Sequence, residues 1–480
     1  MGVRFNPNTR HQASKMSYLD AVRYLDSFIN YEKKPAYPYK ESFKLERIKE
    51  FLKVIDSPQD SLRCIHVAGT KGKGSVCAFC AYILKEAGYK VGLYTSPHLS
   101  DVRERIRILN PSVSMSQRNE DFEGMISPEE LESLVERLKP AIEEYNRNSK
   151  YGPLSFFEVY TALAFTCFKE KRVDFAVLET GLGGRLDATN VVDPLVCAIT
   201  PISFDHTQKL GNTLREIAAE KAGIIKSHQS PVTSHQPIVI TAPQEDEVIK
   251  VIRNKCQQQN AILYEVGKDI NFEQISFNNY SQDFNIGGAL GEHRNLKIRL
   301  LGKHQLINAA VSVGIIDGLR FYNLNIDIDA IRTGLYHTIW PGRCEIIAKE
   351  PLIVLDGAQN IASTRALKET IRENFSAAGG SASGGRYKRL ILILGISKDK
   401  DIKGICRELY DLADEIVLTK ANNPRATEPQ NLAEYFNAKQ VYITNNVKEA
   451  KEYACRIAHK KDLILITGSL FVVGEARDLF

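Results

Sequence analysis

Residues 64–75 read CIHVAGTKGKGS. The apolar run Cys64–Ala68 passes directly into a glycine-rich turn, Gly69–Ser75, and a helical pattern follows from about Val76 to Ala87. Glycines let the backbone curl so that successive N–H groups point at one centre. The helix N-terminus adds partial positive charge, and Lys73 adds a full one. Strand, turn and helix together make a phosphate cradle from Gly69, Thr70, Lys71, Gly72, Lys73, Gly74 and Ser75. The pattern departs from G-x-x-x-x-G-K-[ST], because Gly74 stands between Lys73 and Ser75. A glycine turn beside a surface lysine is the plain alternative; the strand–turn–helix context favours phosphate.

Working outward, Tyr89–Tyr94, Phe175–Leu178 and Val196–Thr200 are further apolar strands with helical patterns between them. Strands alternating with helices imply an α/β fold whose parallel sheet is covered on both faces. Residues 17–55 read as two amphipathic helices around the polar break EKKPAYPYKES, and residues 230–300 are less regular, with several β-like runs. A second series of strands follows Arg343: Leu352–Leu355, Leu390–Leu394, Glu415–Leu418, Val441–Thr444 and Leu463–Thr467. The expected organisation is a loose tail at 1–16, a first unit at 17–339, a hinge WPGR at Trp340–Arg343 and a second, smaller unit at 344–480. The glycine- and serine-rich SAAGGSASGG reads as a flexible loop within the second unit.

The chain has 480 residues, 43% hydrophobic and 25% charged, ordinary for a globular protein of about two to four domains. No apolar stretch reaches the roughly 18 residues that a membrane span needs. A net charge of +5 is too weak to argue for a nucleic-acid groove. Nine cysteines without a regular framework read as reduced thiols in the cytoplasm. Cys77 and Cys80 form a C-x-x-C inside a helix with no second pair nearby, so packing is their expected role. The N-terminal stretch lacks the apolar core of a secretory signal.

Four more residues carry potential chemistry. Glu158 lies in SFFE, and Glu179 ends an apolar strand in FAVLETGLGGRLDATN, where a metal-linked carboxylate of a nucleotide site often sits. Taken singly, each reads as a surface or capping carboxylate. His206 follows a buried strand, at the end of a parallel sheet where ligands bind, although a lone histidine is more often structural. Lys221 falls in EKAGIIK, on a helix expected to start near Thr213. A lysine on a helix is ordinarily a solvated face residue.

Together these residues change the reading. In order along the chain come GTKGKGS, TSPHL, FFE, ETGLGGRLDATN, DHT, EKAGIIK, GKHQLINAA, WPGR, LDGAQN and TGSLFVVGEAR. From about Ser17 to its end, the chain resembles the Mur-ligase-like superfamily, and within it the folylpolyglutamate synthase/dihydrofolate synthase family. The resemblance implies a P-loop ATPase domain with a parallel sheet, a smaller Rossmann-like C-terminal domain, and a cleft between them. It implies that Gly72–Ser75 hold the ATP phosphates and that Asn308, Arg343 and Asp356 contact the nucleotide from the far side. It implies Ser96, Glu158 and His206 as magnesium ligands and Lys221 as a carbamylated lysine. Lys73, Glu158, His206 and Lys221 would then carry the catalysis.

The implied activity is an ADP-forming amide ligase that adds L-glutamate to dihydropteroate or a reduced folate through an acyl phosphate. Its cofactors would be ATP and Mg2+, with a monovalent cation as a further option. The resemblance also implies a cytoplasmic monomer with small-molecule substrates and no nucleic-acid or membrane partner. This chain departs from the family pattern at Lys71, where the family often has Asn, and at Gln359, where it commonly has His. A glutamine cannot titrate near neutral pH. The polar stretch Pro111–Met125 looks inserted where the family contacts the pteridine. Two alternatives stand beside this reading. One is another Mur-type ligase, which would carry an additional N-terminal domain. The other is a nucleotide-binding switch, which would need the phosphate loop but not Lys221, His206 or Asp356.

Overall fold

The computed structural model describes residues 16–32, 34, 37–112, 122–227, 236–375 and 387–480. The expectations for the tail (residues 1–15), for 113–121 of the polar stretch and for the SAAGGSASGG loop lie outside the described residues. The fold is α/β, built on two largely parallel sheets and one small antiparallel one.

The first sheet has seven strands: β1 (Cys64–Ala68), β2 (Val91–Tyr94), β3 (Ile106–Leu109), β4 (Phe175–Glu179), β5 (Val196–Ile199), β6 (Ile238–Thr241) and β7 (Ile262–Glu265). Their spatial order is β3-β2-β4-β1-β5-β6-β7. All pairs are parallel except β2–β3. The antiparallel edge β3 is absent from the sequence reading because its pattern is broken by buried Arg107, next to Arg105, and neither residue exposes any surface. Strands buried on both faces read as unbroken apolar runs, and β1 and β4 are buried along their whole length. Alternate residues serve opposite faces: Ile65 and Val67 join one core, Cys64 another.

β8 (Ile270–Phe277), β9 (Gln282–Gly288) and β10 (Gly291–Ile298) form the antiparallel sheet, order β10-β9-β8, within the region that looked irregular. The second large sheet contains β11 (Glu345–Lys349), β12 (Leu352–Leu355), β13 (Leu390–Leu394), β14 (Glu415–Leu418), β15 (Gln440–Ile443) and β16 (Leu463–Thr467). Its order is β11-β12-β16-β13-β14-β15, parallel except for the added edge strand β11. Among the described residues no helix is long and apolar enough to cross a membrane.

The helix after the phosphate loop, Lys73–Glu86, is buried from Ser75 through Lys85. It lies between the first sheet and the helices Lys303–Gly318 and Ile328–His337. Cys77 and Cys80 are part of this packing. The approach to Ile328–His337 is so close that a Cβ on Gly334 would lie 2.4 Å from Ile83 Cα and 2.6 Å from Ile83 N. Those are backbone atoms, which cannot swing aside. Gly334→Ala should therefore force the helices apart and destabilise the protein by about 2 kcal/mol, the usual scale of overpacking. A fall in the urea midpoint checks this; an unchanged midpoint contradicts it.

Candidate active site

The strand order places β4 and β5 on either side of β1. The loops leaving the C-terminal ends of β2, β4, β1 and β5 therefore converge, carrying Ser96, Glu179, the phosphate loop and His206 to one edge of the sheet. Two glycines make the loop's path possible. A Cβ on Gly69 (φ +149°) would sit 1.8 Å from Thr200 Oγ1, and one on Gly72 (φ +82°) 2.2 Å from Asn308 Oδ1. No side chain caps the helix that begins at Lys73. Its first N–H groups are thus left for a ligand, which is the standard anion site at a helix start.

A cavity of about 380 Å³ opens above this turn. On one side it is lined by Thr70–Ser75, Ser96 and Glu179; on the other by His304, Asn308, Arg343, Asp356 and Gln359. The structure thus brings together the phosphate-loop residues Thr70 to Ser75, Ser96, Asn308, Arg343 and Asp356. The Asp356 carboxylate accepts from the Cys344 N–H at 2.9 Å and the Ala358 N–H at 2.8 Å, which fixes its direction. Burial pushes its pKa up, against the opposing charge of Arg343. Lys71 is pushed down to about 8, mainly by burial. His304, lining the same wall, is pushed down to about 4 by burial and then by Arg343 and Lys71.

Glu179 lines the cavity beside the phosphate loop and Ser96. Its Oε2 accepts from the Ser96 N–H at 3.1 Å, and its Oε1 lies 3.7 Å from Lys73 Nζ. Burial raises its pKa, and the Lys73 charge opposes that shift. Glu158 does not fill the role expected of it. It is the third residue of a capping box with Ser155 at the start of the helix Phe156–Lys171. Both of its oxygens also accept from Arg47 Nε, at 2.8 and 3.0 Å. This carboxylate is committed to Ser155 and Arg47 and does not line either cavity. The S-x-x-E spacing is the local signal of that capping role.

His206 starts the short helix Thr207–Leu210 at φ +49°, a left-handed conformation that non-glycine residues adopt at a cost. It lines an adjoining, largely aromatic cavity, which shares Ser96, Pro97, Gln359 and Leu470 with the first. Burial pushes the His206 pKa down to about 4, so its imidazole is neutral at pH 7 and has a lone pair to offer.

Lys221 is not on a solvated face. It is 5% exposed, and its Nζ donates to Gly69 O at 2.8 Å, beneath the phosphate loop. Burial, then the Lys73 charge, push its pKa down to about 7. Thr213 caps its helix as the sequence implied. The sequence reading missed Asp205, which reaches across the cleft. Its carboxylate meets Lys400 Nζ at 3.1 Å and Asn360 Nδ2 at 3.4 Å, both from the second unit. Burial would raise the Asp205 pKa, but His206 and Lys400 outweigh it and hold the carboxyl well below its ordinary range.

Among the described residues no group of three or more His, Cys, Asp or Glu could hold a metal ion alone. Magnesium does not need such a cage, because it keeps waters and binds through one or two carboxylates plus substrate phosphates. A buried carboxylate beside an uncapped helix start fits that habit. Glu179→Gln should therefore weaken magnesium-dependent ATP turnover by about a hundredfold, the upper scale for residues that support metal sites. Glu158→Gln should instead lower stability by about 1–3 kcal/mol, through loss of its buried pairing with Arg47, with the magnesium requirement unchanged. Magnesium titrations and urea melts of both variants check this. A raised magnesium requirement in Glu158→Gln would contradict the assignment.

Comparison with known proteins gives the family. The Mur ligase middle domain family matches residues 155–316, and the Mur ligase glutamate ligase domain family matches residues 342–470. The dihydrofolate synthase/folylpolyglutamate synthase of Bacillus subtilis is 33% identical over 470 residues, covering 96% of this chain and 98% of its own. Among solved structures, Mycobacterium tuberculosis folylpolyglutamate synthase complexed with ADP and AMPPCP aligns with a TM-score of 0.82 at 29% identity, covering 96% of this chain and 98% of that one. Escherichia coli FolC in complex with DHPP and ADP aligns at 0.78 and 28% identity, covering 96% and 97%. Similarity over nearly the whole of both chains, joined to the phosphate loop and the two-sided cleft, places this chain in the dihydrofolate synthase/folylpolyglutamate synthase family of Mur-type ligases.

Proposed function

We propose that this cleft joins L-glutamate to a folate-type carboxylate, converting ATP to ADP and phosphate. The observation that carries the reading is the single cavity with an uncapped phosphate loop on one wall and Asp356, Arg343 and Gln359 on the other, opening into an aromatic cavity through Ser96. The relatives solved with ADP, AMPPCP and DHPP support both halves of the site.

The chemistry explains why such a site is needed. A carboxylate carbon is a poor electrophile, and an amine simply takes a proton from the acid. If a carboxylate oxygen attacks the γ-phosphorus, the bond to the β-phosphate oxygen breaks and ADP leaves. The acyl phosphate that forms carries a good leaving group. The α-amine of glutamate then adds to the acyl carbon, and the carbon–oxygen bond to phosphate breaks. Such a reaction asks the protein mainly for positioning and charge neutralisation.

The N–H groups of Gly72–Ser75 and the Lys73 ammonium hold the phosphates. Asn308, Arg343 and Asp356 hold the nucleotide across the cleft. Ser96, Glu179 and His206 are the residues that would hold magnesium, and bound magnesium supplies positive charge to the phosphate oxygens as they react. Reactions with ATP, magnesium and glutamate, one containing dihydropteroate and the other tetrahydrofolate, test the proposal by mass spectrometry. One added glutamyl unit on dihydropteroate means a dihydrofolate synthase, and glutamyl ladders on tetrahydrofolate mean a polyglutamate synthase. Neither product would defeat the reading.

Lys221 adds a pH dependence. Its pKa of about 7, against about 10.4 for a free lysine, leaves half the amine neutral at pH 7. A neutral amine captures carbon dioxide, forming an N–C bond and releasing a proton, and becomes an anion. The sign follows: below pH 7 the amine protonates and the carbamate is lost. With 13C-labelled bicarbonate, a carbamate carbon signal should be present at pH 8, fall as pH drops through about 7, and be absent in Lys221→Arg. A Lys221→Arg variant with the same signal would overturn the modification.

A further inference from the structure

Lys209 lies in the short helix Thr207–Leu210, just beyond His206, and its Nζ is 4.2 Å from the centroid of the Tyr37 ring. It lines the aromatic cavity together with two other cations, Lys400 and Arg425. Those two are matched. Lys400 Nζ is 3.1 Å from Asp205 Oδ1, and Arg425 Nη2 is 2.6 Å from Asp399 Oδ2. Among the described residues Lys209 makes no ion pair, and its Nζ sits over the Tyr37 ring face. Burial and the nearby Arg425 and Lys400 charges work against this half-buried ammonium, and Asp399, Asp205 and the ring face offset only part of that cost. An anion from a ligand would remove the rest.

The cavity says which anion. Its walls include Tyr31, Tyr37, Phe43 and Phe157, which suit a flat ring. The carboxylate to be activated must reach Ser96, where the two cavities join. His206 lines the same cavity as Lys209 and lies about one helical turn before it. A second carboxylate borne by the same glutamyl unit as the reacting one would fall within a few bonds of it, on the Lys209 side. Dihydropteroate has one carboxylate, which is the reacting one. A folate with a glutamyl tail has at least one more.

We propose that Lys209 binds the non-reacting carboxylate of a glutamyl-bearing acceptor and so favours tailed folates over dihydropteroate. This rests on the ligase reading above. The incoming glutamate is the other source of a carboxylate, and the experiment separates the two.

Lys209→Met and Lys209→Arg would be compared with the wild type. Dissociation constants for tetrahydrofolate and dihydropteroate would be measured calorimetrically with AMPPCP present, and KM for glutamate in the ligase assay. A charge-assisted contact of this kind predicts that Lys209→Met weakens tetrahydrofolate binding about tenfold or more. Dihydropteroate binding and the glutamate KM should move less than about twofold, and Lys209→Arg should recover most of the loss. Equal weakening of both acceptors would overturn the proposal and leave Lys209 as part of the wall. So would a selective rise in the glutamate KM, which would assign the charge to the incoming amino acid. Wild-type protein that binds neither acceptor would defeat the ligase reading itself, a result distinct from either.

Discussion

A methyl group at Gly69 would lie 1.8 Å from Thr200 Oγ1, and one at Gly72 would lie 2.2 Å from Asn308 Oδ1. These two clearances let the chain leave β1, turn against the end of β5 and enter the helix Lys73–Glu86 with its first N–H groups uncapped. Everything else in the cleft is arranged around that turn. Lys221 holds it from below through Gly69 O, Glu179 balances Lys73 beside it, and Asn308 closes it from above. A bulkier residue at either glycine would remove the site without touching a single charged group.

Charge is the second organising constraint. The cleft buries acids and bases together, and each finds a counter-charge or shifts its proton equilibrium. Glu158 and Arg47 satisfy one another away from the cavity and hold the first unit together. Asp205 with Lys400 does the same across the cleft, so that the two sheets meet through a matched pair. Lys221 instead donates to Gly69 O, and burial with the Lys73 charge lowers its proton affinity against the pull of Asp205 and Asp187. The same burial thus produces a structural ion pair in one place and a lysine of lowered proton affinity in another.

The phosphate loop was legible because all its information is local: a strand, glycines at fixed offsets and a helix. The α/β class was legible for the same reason, since strands buried on both faces write themselves as apolar runs. That Glu179 lines the cavity with the phosphate loop, while Glu158 pairs with Arg47, was not legible from proximity along the chain. It depends on β4 lying beside β1, a neighbour relation made by a crossover that chain order does not state. Ser155 and Glu158 do carry a readable capping pattern, and it competes with any metal role. The burial of Lys221 was hidden because a helix pattern does not reveal what covers its face. Asp205 was hidden because its partners, Lys400 and Asn360, come from the other sheet.

Gly74 touches the indole of Trp340: a Cβ there would lie 2.8 Å from Cζ2. Trp340 is the sole tryptophan of the chain, and it sits in the segment that leads into the second large sheet. The Arg107 guanidinium lies 5.9 Å from the same ring. Indole emission responds to nearby charge and to solvent, so this ring is a built-in optical probe. It lies against the phosphate loop on one side and the connection between the two units on the other. A nucleotide bound at the phosphate loop should register in its emission, with no label attached and no second tryptophan to confuse the signal.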